Sequence, residues 1–211
     1  MQGVAILVDG GFFLKRYQSI YGKQTAQKVA EDLYELATGH AEKESLYRIF
    51  YYDARPIEKK FHNPVTGNAI DLGRSNEALF RKTLFEELKK KRKLALRLGY
   101  MSGVQQWIIK PAKVKELLNG QIDLKDLTEQ DVKLDAKQKG VDIKIGLDIS
   151  TLALKKQVSR IVLISGDGDF VPAAKLARRE GIDVILDPMW NKIDDDLFEH
   201  IDGLKSTCKR P

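Results

Sequence analysis

The chain has 211 residues, of which 43% are hydrophobic and 31% are charged, an ordinary globular composition that can bury a core. No apolar run approaches the ~20 residues of a membrane-spanning helix, and the amino terminus reaches Asp9 too soon for a secretory signal peptide. The lone cysteine, Cys208, excludes an internal disulfide and a CxxC zinc site, which suits a reducing cytoplasm. The formal net charge of +6 favours a polyanionic partner, nucleic acid above all.

Buried strands alternate with helices in the first half of the sequence. The continuous apolar run 4–8 ends at Asp9-Gly10-Gly11 and predicts a strand buried on both faces. Residues 24–37 have helical spacing, and residues 46–52 form a second apolar run that ends at Asp53. Residues 54–75 are rich in Pro, Gly, Asn and charge and predict a long loop, which the helix 76–91 follows.

The second half continues the alternation. Residues 94–101 and 106–110 predict two strands joined by a turn, residues 111–118 a short helix, and residues 120–137 an irregular segment. The last third predicts a helix over 141–157, a strand over 160–164, a turn over 165–168, a helix over 170–180, a strand over 182–186 and a final helix over 193–200. This order predicts a single α/β domain over residues 1–211, with helices on both faces of a mainly parallel sheet.

Acidic residues follow two of the buried strands. Asp9 follows the first, and Asp167 and Asp169 follow the strand 160–164. Ligand sites of parallel α/β sheets lie beyond the carboxyl ends of the strands, so these carboxylates converge if the strands are neighbours. Asp142 begins a helix, where the helix dipole favours negative charge. Asp148 lies six residues further, on a different face, and either supports the site or is solvated.

A cluster of carboxylates requires compensation, because like charges repel and burial removes them from water. A divalent cation provides it, and Mg²⁺ binds carboxylate oxygens while keeping several waters. Each aspartate alone is also a common turn or helix-capping residue. Together they predict a metal site that can activate water against a phosphodiester.

Three motifs occur in a fixed order: Val-Asp-Gly-Gly-Phe-Phe-Leu-Lys-Arg at 8–16, Lys-Gly-Val-Asp at 139–142 and Ser-Gly-Asp-Gly-Asp-Phe at 165–170. Their combination resembles the NYN domain family of the PIN-like ribonuclease superfamily, over residues 4–188, with a C-terminal helix and tail at 189–211 beyond it. The resemblance implies a three-layer αβα, Rossmann-like fold, a site for Mg²⁺ or Mn²⁺, RNA cleavage and self-association as a homodimer.

The resemblance also assigns residues. The family's metal-binding and catalytic carboxylates fall on Asp9, Asp142, Asp167 and Asp169. Ser165 is expected near the metal, and Lys139 is expected to neutralise a phosphate. Many family members carry an Asn shortly after the first aspartate, but Phe12 and Phe13 occupy that stretch here, so an amide that helps to hold substrate is absent.

Other charged residues are weaker candidates for substrate binding. Lys90 and Arg92 belong to the basic run 89–93, which is either a phosphate track or a helix end where cations are favoured. Asp53 ends a strand and faces the same edge as Asp9, and Arg55 is placed to contact a phosphate.

The sequence thus predicts a metal-dependent nuclease that hydrolyses single-stranded RNA with a metal-activated water held by aspartates. Ser165 has no G-x-S-x-G elbow around it, and no G-x-x-x-x-G-K-[ST] loop occurs. An RNA- or protein-binding module with weak or no catalysis remains open on the same fold. A metal-dependent phosphatase or a DNase that uses the same site remains open as well.

Overall fold

A seven-stranded sheet organises the protein in a computed structural model that describes residues 3–41, 44–102 and 106–211. The strands are β1 (Gly3–Asp9), β2 (Leu46–Ala54), β3 (Lys60–His62), β4 (Ala69–Asp71), β5 (Leu94–Ser102), β6 (Trp107–Ile109), β7 (Val132–Leu134), β8 (Lys137–Lys139), β9 (Val158–Ile164), β10 (Asp183–Asp187) and β11 (Gly203–Leu204). The sheet order is β11-β10-β9-β1-β2-β5-β8, and all neighbours are parallel except β5 and β8.

Helices cover both faces of the sheet. They are α1 (Gly10–Tyr21), α2 (Ala26–Thr38), α3 (Asn76–Lys89), α4 (Pro111–Leu118), α5 (Val141–Leu154), α6 (Val171–Arg179) and α7 (Asp195–Glu199). One buried cluster joins α1, α2 and α3 to the sheet, and a second joins α5, α6 and α7 to the opposite face. Successive β1 side chains enter the two clusters in turn, which explains its unbroken apolar run. The predicted αβα architecture is confirmed.

Several elements differ from the sequence prediction. Helix α1 was missed because Gly10 and Gly11 read as a turn, whereas Asp9 caps the helix by accepting a hydrogen bond from the backbone N–H of Phe12 at 3.1 Å. Strands β5 and β6 were predicted to be joined as a pair, but β6 pairs with β7 in a separate two-stranded sheet. The predicted loop 54–75 contains the hairpin of β3 and β4, and the segment 120–137 contains β7.

A buried carboxylate fastens the C-terminal tail to the sheet. Asp187, at the end of β10, is 1% exposed. Its Oδ1 accepts hydrogen bonds from the backbone of Met189 and the hydroxyl of Ser206, each at 2.8 Å, and its Oδ2 lies 2.9 Å from Nε2 of His40. A strand-end aspartate can therefore serve the fold alone. Within the described residues, no helix has the length and apolar composition needed to cross a membrane.

Asp187→Ala is expected to destabilise the protein by about 3 kcal/mol or more, because it leaves several buried donors without an acceptor. Urea unfolding followed by circular dichroism measures the change. Glu31→Gln, which alters an exposed carboxylate on α2, is the control and should leave stability within about 0.5 kcal/mol of the parent. Equal midpoints for all three proteins would contradict the structural role of Asp187.

Candidate functional site

The carboxyl ends of β1 and β9 lie side by side in the centre of the sheet. The two strands are parallel neighbours, with Val8 opposite Ile164. The residues at the end of each strand are therefore brought to the same edge: Asp9 at the end of β1, and the turn 165–168 after β9. This pairing meets the condition under which the sequence predicted that Asp9 and Asp167 converge.

Ser165 connects the two segments. It is completely buried, and its hydroxyl donates to Oδ2 of Asp9 at 3.4 Å while accepting from the backbone N–H of Asp167 at 3.3 Å. The side chain thus holds one carboxylate and fixes the backbone that presents the other. Asp167 in turn accepts a hydrogen bond from the backbone N–H of Asp169 at 3.0 Å, which closes the turn.

Asp9 is an electrostatically strained carboxylate. Burial raises its pKa, and the negative charges of Asp142 and Asp167 raise it further, against the lowering effect of the hydrogen bonds from the Phe12 and Gly11 backbone. Asp142, in the first turn of α5, has a raised pKa for the same reasons: burial first, then the charges of Asp167 and Asp169.

These mutual effects define what we call the aspartate centre, made of Asp9, Asp142, Asp167 and Asp169. All of its ligand atoms are carboxylate oxygens, the type that Mg²⁺ and Mn²⁺ bind. Among the described residues, no positively charged side chain lowers the pKa of Asp9 or of Asp142. The donor chemistry therefore fits a divalent metal ion.

The aspartate centre is open rather than tightly closed. Among the described residues, the group of three acidic or histidine ligand atoms within 4.8 Å of one another is Asp196, Glu199 and His200. That group lies along the surface of the short α7, and Nδ1 of His200 is already 2.6 Å from the carbonyl oxygen of Asp196. Within the described residues, no three members of the aspartate centre approach one another that closely, so a cation held there would need waters as further ligands.

Phe12 supports the site in a way that the sequence analysis missed. It packs on the turn after β9, and a Cβ added at Gly166 would lie 2.9 Å from the Phe12 ring. Glycine at 166 therefore permits the close approach of the ring. Phe12 thus supports the turn that presents Asp167. Its partner Phe13 is 1% exposed and belongs to the core.

The supporting residues proposed from the sequence have different surroundings. Lys139 is exposed on β8, three residues before Asp142. Asp148 is half-buried and belongs to a separate ion pair, because Tyr52 donates to it at 2.8 Å and Nε of Arg97 lies 3.0 Å away. The charge of Asp148 does not contribute to the raised pKa of Asp9 or of Asp142.

Asp53 is committed to an ion pair. It is completely buried at the end of β2, contacts Arg81, and accepts hydrogen bonds from the backbone of Ala54 at 2.7 Å and the hydroxyl of Tyr51 at 3.2 Å. Burial raises its pKa, which the Arg81 guanidinium opposes. Arg55, two residues further, is exposed.

The basic run 89–93 lies away from the aspartate centre. Lys90 caps the C-terminus of α3 and pairs with Glu87, and Arg92 is exposed in the connection to β5. Because β5 is parallel to β1 and β2, the start of β5 is at the amino-terminal edge of the sheet. Lys90 and Arg92 therefore do not form a phosphate track across the aspartates, and this part of the prediction is corrected.

A sequence model of the NYN domain matches residues 3–197, nearly the whole chain. The chain belongs to the NYN family. A search of curated proteins finds no match. Among solved structures, this NYN domain is similar to a protein of unknown function from Vibrio parahaemolyticus, with a TM-score of 0.50 and 18% identity over 96% of this chain and 91% of that one. That likeness shows the fold alone.

Membership assigns this NYN domain to the PIN-like superfamily. NYN domains are usually nucleases that use divalent metals. The general class of this protein is therefore that of hydrolases acting on nucleic acid.

Asp9→Asn is expected to raise the Tm of the metal-free protein by a few degrees at neutral pH, since ~1 kcal/mol shifts Tm by ~2–4 °C in a chain of this size. The raised pKa means that ionised Asp9 opposes folding; this cost is absent below the unfolded carboxyl value of about 3.9 and fully present above the raised pKa. Asn retains the helix-capping acceptor. Thermal melts in EDTA at two pH values measure the effect.

Glu31→Gln serves as the matched control, because it removes one exposed carboxylate outside the site. Added Mn²⁺ should raise the Tm of the parent and the control more than that of Asp9→Asn. A lower Tm for Asp9→Asn in EDTA would show that the Asp9 charge stabilises the fold.

Proposed function

We propose that the protein is a metal-dependent ribonuclease that hydrolyses phosphodiester bonds of single-stranded RNA. The observation that carries this proposal is the convergence of Asp9, Asp142 and Asp167 from three distant parts of the chain. Burial raises the pKa of Asp9, and the charges of the other two raise it further. A protein gains nothing for its stability from such a group, so the repulsion points to a bound cation and its chemistry.

The residues have distinct roles in this proposal. Asp9, Asp142 and Asp167 hold Mg²⁺ or Mn²⁺, with Asp169 acting directly or through water. When bound, the metal supplies an activated water and compensates charge at the phosphoryl group. Ser165 keeps one Asp9 oxygen in place through its hydroxyl. Lys139 is exposed close to the start of α5, where it is available to a substrate phosphate.

RNA is the proposed substrate because the family acts on nucleic acid and the chain carries a net charge of +6. A cytoplasmic location, expected from the single cysteine, belongs to the same proposal. The separation of the four carboxylates favours one alternative, an RNA-binding module with weak catalysis, since a loosely held metal activates water poorly.

Asp9→Asn and Asp167→Asn are each expected to reduce cleavage of single-stranded RNA at least ~100-fold, because each removes a charged ligand of the metal. The measurement uses labelled single-stranded RNA, structured RNA and single-stranded DNA, with Mg²⁺, with Mn²⁺ and with EDTA. Circular dichroism spectra confirm that the variants are folded.

Glu31→Gln should cleave at the parental rate. Cleavage that persists in both aspartate variants would eliminate the aspartate centre as the active site. Tight, salt-sensitive RNA binding without any cleavage would favour the binding module, and cleavage of DNA alone would assign the substrate to the alternative nuclease class.

We also propose that the protein forms a homodimer through α5. The outer face of this helix exposes Ile143, Leu147 and Leu154, which are 69%, 61% and 59% exposed. Beside it, the first part of β5 lies at the edge of the sheet, because β8 pairs only with Tyr100 to Ser102. An apolar helix face next to an open strand edge suits a second copy of the same chain, which presents the same two features across a two-fold axis.

Leu147→Glu is expected to shift the protein from dimer to monomer in sedimentation velocity, because it places a charge within the apolar face. Leu118→Glu on α4, a position that is 82% exposed, is the matched control and should leave the assembly unchanged. A parental protein that is monomeric at all accessible concentrations would refute the dimer.

A further inference from the structure

A cavity separate from the aspartate centre opens beside the buried Asp53. It has a volume of about 430 Å³ and lies between the end of β2, the start of α3, the β3–β4 hairpin and the two-stranded sheet of β6 and β7. None of the four aspartates lines it, but β2 is the neighbour of β1, and Tyr52, opposite Asp9, directly precedes Asp53. The volume is within the ~300–1,000 Å³ typical of small-ligand pockets.

The guanidinium of Arg81 forms part of the cavity wall and is held in place by an ion pair. Arg81 contacts Asp53 through Nη1, and its Nε lies 3.4 Å from Glu77. Within the described residues, Nη2 of Arg81 makes no hydrogen bond. It is not completely buried, so it is accessible. Because Asp53 holds the guanidinium and Arg81 lines the cavity, the Nη2 donors remain available to an occupant.

The remaining lining is mainly apolar. Trp107 and Met101 contribute a half-buried indole and a thioether, and aliphatic side chains from the two small sheets complete the wall. Two arginines face three carboxylates around the cavity, namely Arg55 and Arg81 against Asp53, Glu77 and Glu129. This balance is not positive, so a phosphate group is disfavoured. A flat, neutral heterocycle with an acceptor matches the indole face and the Arg81 donors.

We propose that this cavity binds one nucleobase of the single-stranded substrate, stacked on Trp107 and read by Arg81 through a ring carbonyl oxygen. Uracil, guanine and cytosine carry such an oxygen and are the preferred occupants, whereas adenine carries none. The proposal rests on the proposed nuclease function, to which it adds sequence preference next to the cleavage site. We call this cavity the base pocket.

The test measures binding separately from cleavage. Fluorescence anisotropy of labelled tetranucleotides of uridine, guanosine or adenosine is recorded in EDTA, where metal-dependent cleavage is suppressed. The parent should bind the uridine or guanosine oligomer more tightly than the adenosine oligomer. Trp107→Ala should weaken binding about 10-fold or more, as expected for loss of one stacked base, and Trp107→Phe should restore most of it.

Two further variants complete the design. Arg81→Lys keeps a cation beside Asp53 but removes the planar donors, so it should abolish the base preference while leaving the protein folded. Trp190→Phe changes the second tryptophan, whose indole N–H donates to the Cys208 carbonyl outside the cavity at 2.9 Å, and should bind as the parent does. Thermal melts identify any variant that fails to fold, in which case Trp107→Phe and Arg81→Lys decide.

Selective binding that depends on Trp107 and Arg81 supports the base pocket even if no RNA is cleaved, in which event only the nuclease proposal fails. Parental affinity and preference in both Trp107→Ala and Arg81→Lys overturn the base pocket and leave the nuclease untouched. Equal binding of all three oligomers by the parent, or complete competition by inorganic phosphate, also overturns it.

Discussion

Backbone hydrogen bonds between the parallel strands β1 and β9 place Asp9 and Ser165 together, although they are 156 residues apart in the chain. The aspartate centre depends on this pairing. With the two strands in register, the buried Ser165 hydroxyl reaches Asp9, and the turn after β9 presents Asp167. Burial raises the pKa of Asp9, and the charges of Asp142 and Asp167 raise it further. The free-energy cost of this grouping lies at one edge of a sheet whose two faces pack against apolar clusters.

Three buried or half-buried aspartates at strand or helix ends have three different fates. Asp187 accepts hydrogen bonds from the tail and holds the fold, and Asp53 is paired with Arg81. Asp9 has like charges around it and no cation among the causes of its pKa shift. The contrast sets Asp9 apart from the two aspartates that have compensating partners and supports its proposed role, because stability alone favours compensated charges in a protein interior.

The surface around the aspartate centre contains regions of different chemical character. Beyond the end of β2, the cavity beside Arg81 combines an aromatic wall with fixed donors. The outer face of α5 is apolar even though the same helix begins with Asp142. The basic run after α3 is at the opposite edge, so it adds no positive charge around the carboxylates.

The sequence by itself determined the buried strands, the αβα layers and the aspartates at strand ends, because continuous apolar runs and the residues that stop them are local signals. Helix α1 escaped, since Asp-Gly-Gly suits both a turn and a capped helix start. Tertiary structure alone decided which strands are neighbours and placed Lys90 and Arg92 at the edge opposite the aspartate centre. It also decided that Asp53 pairs with Arg81, and that Asp148 binds Tyr52 and Arg97. Those outcomes depend on contacts between segments far apart in the chain, which no local pattern of residues encodes.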